Sequence, residues 1–483
     1  MKFIGRTYEL DYLDRLYAQR EANLCIVYGR RRIGKTRLLT HWLETRQPPG
    51  FYWVATDSSM TAILRSLSHA LYEQIHGTPP SDPHFTYFDW DEWLRELARF
   101  AQDRRQKVVV ILDEFTYAID AYPDLPHKLQ AAWDQTLKGL PILLVLSGSQ
   151  IGMMEDEILA QRSPLYGRAT GLLHLRQWPF KDVRACFPRY DIESCIALYS
   201  VLGGVPYYLE QIDPAQSVVE NIVQRVMQSP LLVQDEPRLL LHDHFQQPGL
   251  YAAIIGQVAN SVYTPKEIAE LLGIEPATVS NYLNTLTRIG LIERETPATE
   301  RHPARSRRSR YRVADPYLRF YHRFLAPHLP LLLRGSYRAV WNTIEQHWRA
   351  FVGTYTFEEL CREWVYVAAE LGLLPFLPQV VGSHWGKTEQ IDLVAINWDA
   401  ASVLYGECKW KRESSFSLSE AEKLVERAEQ VALTTQSGRP FAKHYIFFSR
   451  SGFSEPVQQY AAEIGAQLVD LEMLDTVFAQ ATR

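Results

Sequence analysis

The eight residues Gly29-Arg30-Arg31-Arg32-Ile33-Gly34-Lys35-Thr36 constrain this chain more than any other segment. They fit the pattern G-x-x-x-x-G-K-[ST], a loop whose backbone N–H groups wrap phosphates. Glycines let the backbone turn sharply and approach closely. Lys35 brings a positive charge to the β/γ-phosphates, and Thr36 offers a hydroxyl to magnesium. The apolar run NLCIV (24–28) precedes the loop and the helical pattern RLLTHWLE follows it. This places the phosphates at a helix N-terminus, where backbone N–H groups and the helix dipole favour anions. A chance match is the alternative, and the strand–loop–helix setting argues against it. The motif predicts ATP and Mg2+ as cofactors, held by Gly29, Arg30, Arg31, Arg32, Ile33, Gly34, Lys35, Thr36 and Arg37.

Further short apolar runs follow at 51–55, 108–114 and 142–148, with 172–178 as a possible fifth, and helical patterns at 59–75 and 91–105 lie between them. Strands alternating with helices predict a parallel sheet covered on both faces. VVVILDE ends on Asp113 and Glu114, and a buried carboxylate pair is costly without a partner. After a phosphate loop, the expectation is that Asp113 helps hold magnesium and Glu114 acts as general base on the attacking water. The alternative is a solvated strand end. Ser147 and Ser149, just past the fourth strand, are candidates to sense the γ-phosphate, or form an ordinary turn. Arg162 and Arg168 are candidates for an arginine finger, in cis or across subunits of a homo-oligomer, or are solvated arginines.

With 483 residues the chain has room for about three or four domains. The sequence organises as a 1–178 α/β domain, a 179–245 helical lid with patterns at 191–202 and 216–228, a 246–326 unit and a 340–483 α/β domain. The five cysteines are scattered, with no Cys-x-x-Cys pair, which argues against a disulfide framework or structural zinc. The N-terminus lacks an apolar signal core, and no apolar run reaches the roughly 18 residues of a membrane helix. A soluble, cytoplasmic protein with no membrane partner is expected. The net charge of −5 does not exclude nucleic acid, because the basic residues cluster locally.

That cluster lies in the third unit. Thr264-Pro265 opens a helix that Gly273 ends, and Glu275-Pro276 opens a second after a short turn, the spacing of a helix-turn-helix. Leu291–Arg294 and Tyr311–Val313 read as paired strands, which makes a winged helix. Between them lie Arg301, Arg305, Arg307, Arg308 and Arg310, followed by Arg312, with no acid in 301–312. Such a loop suits phosphate contact or minor-groove insertion. Thr278, Ser280 and Asn281 are offered to a groove by the second helix. DNA is the expected partner, with Arg305, Arg307, Arg308 and Arg310 as contacts; the alternative is a wing that only packs domains together.

After residue 350, Phe357–Trp364 reads as an amphipathic helix carrying Glu358 and Glu359. Gln390–Ile396 is an apolar strand carrying Asp392, and Leu404–Trp410 a strand with Glu407 and Lys409 two apart, hence on one face. If a hairpin brings Asp392 beside them, Asp392 and Glu407 can hold a metal, and the metal with Lys409 can promote phosphodiester cleavage. The alternative is ordinary strand-edge charge.

Phe3-Ile4-Gly5-Arg6…Glu9-Leu10, the Gly-Arg-Arg-Arg-Ile-Gly-Lys-Thr loop, the Leu-Asp-Glu strand and the Ser-Gly-Ser turn resemble the archaeal-type ATPases, relatives of the AAA+ and STAND groups that also occur in bacteria. The resemblance extends along essentially the whole chain. It implies that Gly5 and Arg6 lie beside the adenine and that Gly203-Gly204-Val205-Pro206 is a lid motif, with Pro206 at the nucleotide. The C-terminal pattern resembles the PD-(D/E)XK nuclease fold, which assigns Glu358 as the acid of the first helix, with Glu359 as substitute. Gln390 stands where some relatives have Glu. The expectation is a multidomain α/β ATPase that couples nucleotide state to nucleic-acid binding and metal-dependent cleavage. Two alternatives stand beside it: a signalling ATPase whose nuclease-like domain does not cut, and a nucleotide-dependent transcription regulator.

Overall fold

The computed structural model describes residues 3–242, 245, 247–306, 308–386, 389–411, 415–431, 433–434 and 438–481. Contacts divide the chain into two compact units. One comprises Met1–Gln177, Val205–Glu210 and His242–Gln246; the other comprises Trp178–Gly204, Gln211–Leu241 and Gln247–Arg483.

The first unit is built on strands β1 (Asn23–Tyr28), β2 (Gly50–Val54), β3 (Val108–Asp113), β4 (Ile142–Gly148) and β5 (Gly171–His174). They form one parallel sheet in the order β2-β3-β4-β1-β5. β1, β3 and β4 are buried along their whole length, which is why they read as unbroken apolar runs. Leu24, Ile26, Val110, Leu112 and Leu144 pack on one face with residues of the helices Met60–His76 and Trp90–Gln102. Cys25, Val27, Val109, Ile111 and Val145 pack on the other with the helices Thr7–Ala18 and Lys35–Arg46. The strand order puts β1 between β4 and β5, so the loop after β1 opens beside the ends of both neighbours.

In the second unit the segments read as a lid, including the helix Ile192–Leu202, cluster with the winged helix and the C-terminal domain. The helix Pro265–Leu272 carries a capping box, with Thr264 and Glu267 each satisfying the other's backbone N–H, and Gly273 closes it at φ 67°. The helix Pro276–Arg288 follows, then the antiparallel ribbon of β6 (Ile292–Glu295) and β7 (Arg310–Val313). The C-terminal domain has strands β8 (Val380–Trp385), β9 (Gln390–Asn397), β10 (Ser402–Lys409), β11 (Ala442–Ser449) and β12 (Gln467–Val469) in the order β12-β11-β10-β9-β8. β8, β9 and β10 form antiparallel neighbours, while β11 and β12 join in parallel. Among the described residues no helix is long and apolar enough to cross a membrane.

The helix Glu358–Glu370 packs against this sheet and carries the half-buried Glu363, whose carboxyl is pushed up to about 7 by desolvation. A carboxyl raised in the folded state binds a proton there that the unfolded chain has already released. Its contribution is therefore full below the unfolded value near 4.5 and is lost as pH rises through about 7. Glu363→Gln should remove up to about 1.4 kcal/mol per pH unit of falling stability across that window. Urea midpoints of the two proteins, compared from pH 5 to 7, check this.

Candidate functional site

The phosphate loop owes its shape to backbone that few side chains allow. Gly29, Arg32 and Gly34 all have positive φ (153°, 68° and 93°). A Cβ on Gly29 would stand 2.3 Å from the carbonyl oxygen of Leu175, so only glycine fits there. Lys35 opens the helix Lys35–Arg46, is 4% exposed, and donates to the carbonyls of Gly29 (2.8 Å) and Arg30 (3.1 Å). Its ammonium is thus held inside the loop.

Thr36 Oγ1 donates to Asp113 Oδ2 at 2.7 Å, which joins the loop to the end of β3. Asp113 is fully buried. It also accepts from Tyr52 Oη on β2 and, through Oδ1, from the Glu114 N–H at 2.9 Å. Burial, then the Asp113 charge, pushes the Tyr52 phenol well up, so Tyr52 stays a donor. Glu114 sits at φ 50°, a left-handed conformation that costs a non-glycine residue about 1–3 kcal/mol. That turn aims its carboxylate at Ser149, whose hydroxyl (2.7 Å) and N–H (3.2 Å) both donate to Glu114 Oε2. Ser147 is fully buried on β4, opposite Val27, and its hydroxyl finds no partner among the described residues. An oriented base, a buried Asp on the Thr36 hydroxyl and an unsatisfied hydroxyl beside them fit a phosphate–magnesium group.

The three loop arginines each meet a tyrosine. Arg30, 7% exposed, donates to Tyr208 Oη (2.9 Å), and Arg31 donates to Tyr117 Oη (2.7 Å). The Arg32 guanidinium lies 4.5 Å from the Tyr207 ring centre, a cation–π contact. Pro206 lies against Gly34, 3.8 Å from where a Cβ would be, and Arg37 pairs with Glu210 at 3.2 Å. Val205–Glu210 thus lies along the loop. Gly5 and Arg6 both have positive φ (67° and 61°). Arg6 donates to Glu9 (2.9 Å) and to the carbonyls of Ile33 (3.0 Å) and Arg176 (2.7 Å), so it braces the loop through backbone.

The finger candidates differ. Every guanidinium nitrogen of Arg168 is bonded: to Asp134 at 2.7 and 3.0 Å and to the carbonyls of Pro164 and Tyr166. It is a tie between segments here. Arg162 is exposed. Tyr52, Tyr117, Tyr207, Tyr208 and Glu210 escaped the sequence reading, since nothing in the local pattern says which strand or segment will lie beside the loop.

The second site lies in the C-terminal domain. The β9–β10 hairpin pairs Leu393 with Gly406, which puts Asp392 beside Glu407 one step further along. Asp392 Oδ2 accepts from the Cys408 N–H at 3.1 Å and lies 3.8 Å from Lys409 Nζ. Lys409 donates to Glu407 Oε1, and Arg427 pairs with Glu407 Oε2 at 3.3 Å. Burial, then Asp392, pushes the Glu407 carboxyl up against the opposing pull of Lys409 and Arg427. Burial, then the Asp392 charge, pushes Glu358 up to about 8 despite Arg362 at 3.5 Å. Glu358, Asp392, Glu407 and Lys409 therefore converge. Gln390 is exposed, and its carbonyl accepts from Arg427 at 2.9 Å.

Among the described residues no group of three or more acidic, histidine or cysteine side chains is arranged to hold a metal ion. Two carboxylates, however, share the Lys409 ammonium. Magnesium binds through one or two carboxylates and keeps several waters, so the pair Asp392 and Glu407 fits it. Glu359 points elsewhere: it pairs with Arg319 (2.8 Å) and Arg312 (3.1 Å). Burial raises its carboxyl, but those guanidiniums outweigh it and hold Glu359 below the usual carboxylate range.

The wing packs on the C-terminal domain. Ala298 N–H donates to the Ser383 carbonyl of β8 at 2.8 Å. Arg301 lies 4.7 Å from the Trp398 ring and donates to the Thr434 carbonyl, and Arg310 lies 4.5 Å from Trp385. Arg308 pairs with Glu300, and Arg312 with Glu293 and Glu295. Arg305 is exposed, while Arg307 lies outside the described residues. On the helix Pro276–Arg288, Asn281 is exposed and Thr278 half-buried; the Ser280 hydroxyl donates back to the Pro276 carbonyl at 2.9 Å.

Known proteins share these parts. The model of a family described as an ATPase domain predominantly from Archaea matches residues 3–212. An IclR helix-turn-helix domain matches 258–296, and a family of archaeal and bacterial proteins of unknown function matches 321–424. An uncharacterized protein of Methanocaldococcus jannaschii is 29% identical over 410 residues, 85% of this chain and 88% of its own length. An uncharacterized ATP-binding protein of the same organism is 47% identical over 45 residues, 9% of this chain and 76% of its own. The Walker-type ATPase of Pyrococcus abyssi superposes with a TM-score of 0.50 at 17% identity, over 66% of this chain and 96% of that one; this likeness shows a shared fold. With the phosphate loop, the Asp113–Glu114 strand end and the parallel sheet in place, residues 3–212 are similar to the ATPase domains found predominantly in Archaea, and the chain is an ATPase that also carries a winged helix and a separate C-terminal α/β domain.

Proposed function

We propose that this ATPase couples ATP turnover to nucleic-acid binding and metal-dependent phosphodiester cleavage in its C-terminal domain. At the first site Lys35 and the loop N–H groups bind the ATP phosphates, and Thr36 with Asp113 holds Mg2+. Magnesium supplies charge neutralisation at the γ-phosphoryl group. Glu114, oriented by Ser149, takes the proton of the attacking water. Ser147 and Ser149 would sense the γ-phosphate, and the exposed Arg162 would act across subunits of a homo-oligomer. The lid segment Val205–Glu210 reads the loop through Arg30, Arg32 and Arg37.

At the second site Asp392 and Glu407 would hold Mg2+ or Mn2+, which supplies Lewis-acid activation of water and phosphate. Lys409 would stabilise the charge that grows on the phosphoryl oxygens, and Glu358, whose carboxyl is pushed up by burial and by the Asp392 charge, would hold or deliver a proton. The observation that carries this reading is the convergence of Glu358, Asp392, Glu407 and Lys409 on one site. Nucleic acid, DNA in the first place, would reach the site along Asn281, Thr278 and Arg305.

The test is cleavage of plasmid, linear duplex, single-stranded DNA and RNA with Mg2+ or Mn2+, with and without ATP. Cleavage is expected to fall at least about a hundredfold in Asp392→Ala and in Lys409→Ala. Wild-type protein that hydrolyses ATP but cuts none of these substrates would sink the reading. It would favour a signalling ATPase instead, a view supported by the wing arginines that spend themselves on Trp385 and Trp398.

A further inference from the structure

The winged helix and the C-terminal acidic site share one guanidinium. Arg362 lies one helical turn after Glu358. Its Nη1 faces Glu295 Oε1, at the end of β6, at 3.4 Å. Its Nη2 faces Glu358 Oε2 at 3.5 Å and donates to the Asp392 carbonyl at 3.4 Å. A guanidinium committed to one carboxylate makes short paired bonds, about 2.7–2.9 Å each. Arg319 comes close to that with Glu359, at 2.8 and 3.1 Å. Arg362 does not: it is divided between an acid of the winged helix and an acid of the candidate cleavage site, at a distance from both.

Glu295 cannot drift independently of its ribbon, because Arg312 on β7 also holds it at 3.2 Å. The ribbon in turn follows the helix Pro276–Arg288 through Ile289, Gly290 and Leu291 alone. A cavity of about 330 Å³ opens at this junction, lined by Glu295, Arg312, Glu359, Arg362, Gly382 and Ser383. It leaves the side chains room to exchange partners.

We propose that Arg362 is a positioning residue through which the winged helix sets the C-terminal site. While Glu295 draws on Arg362, Glu358 and the Asp392 backbone keep their spacing and a divalent cation is accepted. When β6 moves away from the helix Glu358–Glu370, Glu295 loses its share. Arg362 then closes on Glu358, and its positive charge opposes the cation. This rests on the reading of the C-terminal domain as a metal-dependent cleavage site.

The experiment titrates Mn2+ by calorimetry into the full chain carrying Lys35→Ala, which silences the nucleotide site; Asp392→Ala identifies the C-terminal isotherm. Glu295→Gln frees Arg362 to close on Glu358 and is expected to weaken Mn2+ binding about three- to tenfold, the scale of one charge moving by a few ångströms. Arg362→Gln removes the positive charge and is expected to tighten binding by a similar factor, while kcat for cleavage falls and KM stays. Arg362→Lys should recover part of the kcat. General damage to the fold would weaken binding in both variants, so the opposite signs mark the coupling. If the wild type binds Mn2+ and cleaves, yet neither substitution moves the affinity or both move it the same way, the coupling is wrong and the cleavage reading stands. If Asp392-dependent Mn2+ binding and cleavage are both missing from the wild type, that reading falls and takes this inference with it.

Discussion

Replacing Lys35 by alanine is expected to lower ATP hydrolysis by about a hundred- to a thousandfold, the scale of losing one preorganised donor to developing charge. The reason is local. Lys35 is 4% exposed and held by the carbonyls of Gly29 and Arg30, so its ammonium sits inside the phosphate loop at little further ordering cost. No neighbouring cation takes over, because Arg30 and Arg31 are engaged with Tyr208 and Tyr117 and Arg32 lies over Tyr207. Steady-state phosphate release measures the rate. A thermal shift separates binding from chemistry: ATP at about one hundred times its Kd stabilises the wild type by about 2.7 kcal/mol. The variant should show little of that shift. A variant that keeps both the shift and the rate would show that the loop does not bind phosphate through this lysine.

The second large effect concerns stability. Glu359→Ala should cost about 3–5 kcal/mol, the penalty for removing one partner of a buried ion pair. Arg319 is 1% exposed and donates two bonds to Glu359, and Arg312 adds a third contact at 3.1 Å. With the carboxylate gone, a buried guanidinium is left without its counter-charge. The double variant Arg319→Met with Glu359→Leu should recover most of the loss, because apolar replacement of the whole pair avoids the desolvation cost. Urea midpoints check both. A single variant as stable as wild type would mean that water reaches Arg319 and the pair is not buried in solution. The same measurement separates the neighbours Glu358 and Glu359. Glu358→Gln should change stability far less, since its carboxyl, pushed up to about 8 by burial and by Asp392, is protonated near neutral pH.

The contiguous parts of this protein were legible in its sequence. A phosphate loop works through its own backbone, so eight consecutive residues carry its chemistry, and flanking runs place it between strand and helix. Buried parallel strands must be apolar along their length, which exposed β1, β3 and β4 as runs and predicted a parallel sheet. The cap at Thr264, Pro265 in the first turn and the stop at Gly273 are local rules, and they outlined the helix-turn-helix. The two-residue period of a strand aligned Glu407 with Lys409.

What only the tertiary structure decided is which distant residues become neighbours. Strand order places Tyr52 of β2 on Asp113 of β3, and nothing in the run FYWVA foretells that bond. The fate of the loop arginines depended on where Tyr117, Tyr207 and Tyr208 come to lie. The wing shows the same dependence most strongly. Six arginines in twelve residues read as a surface for phosphate, since sequence records charge but not what covers it. In the fold, Arg301 and Arg310 lie over tryptophans, Arg308 and Arg312 meet acids, and Arg305 faces outward. Helical periodicity likewise could not rank Glu358 above Glu359, because both begin the same helix. Their roles separate only when the sheet brings Asp392 to one and the buried Arg319 reaches the other.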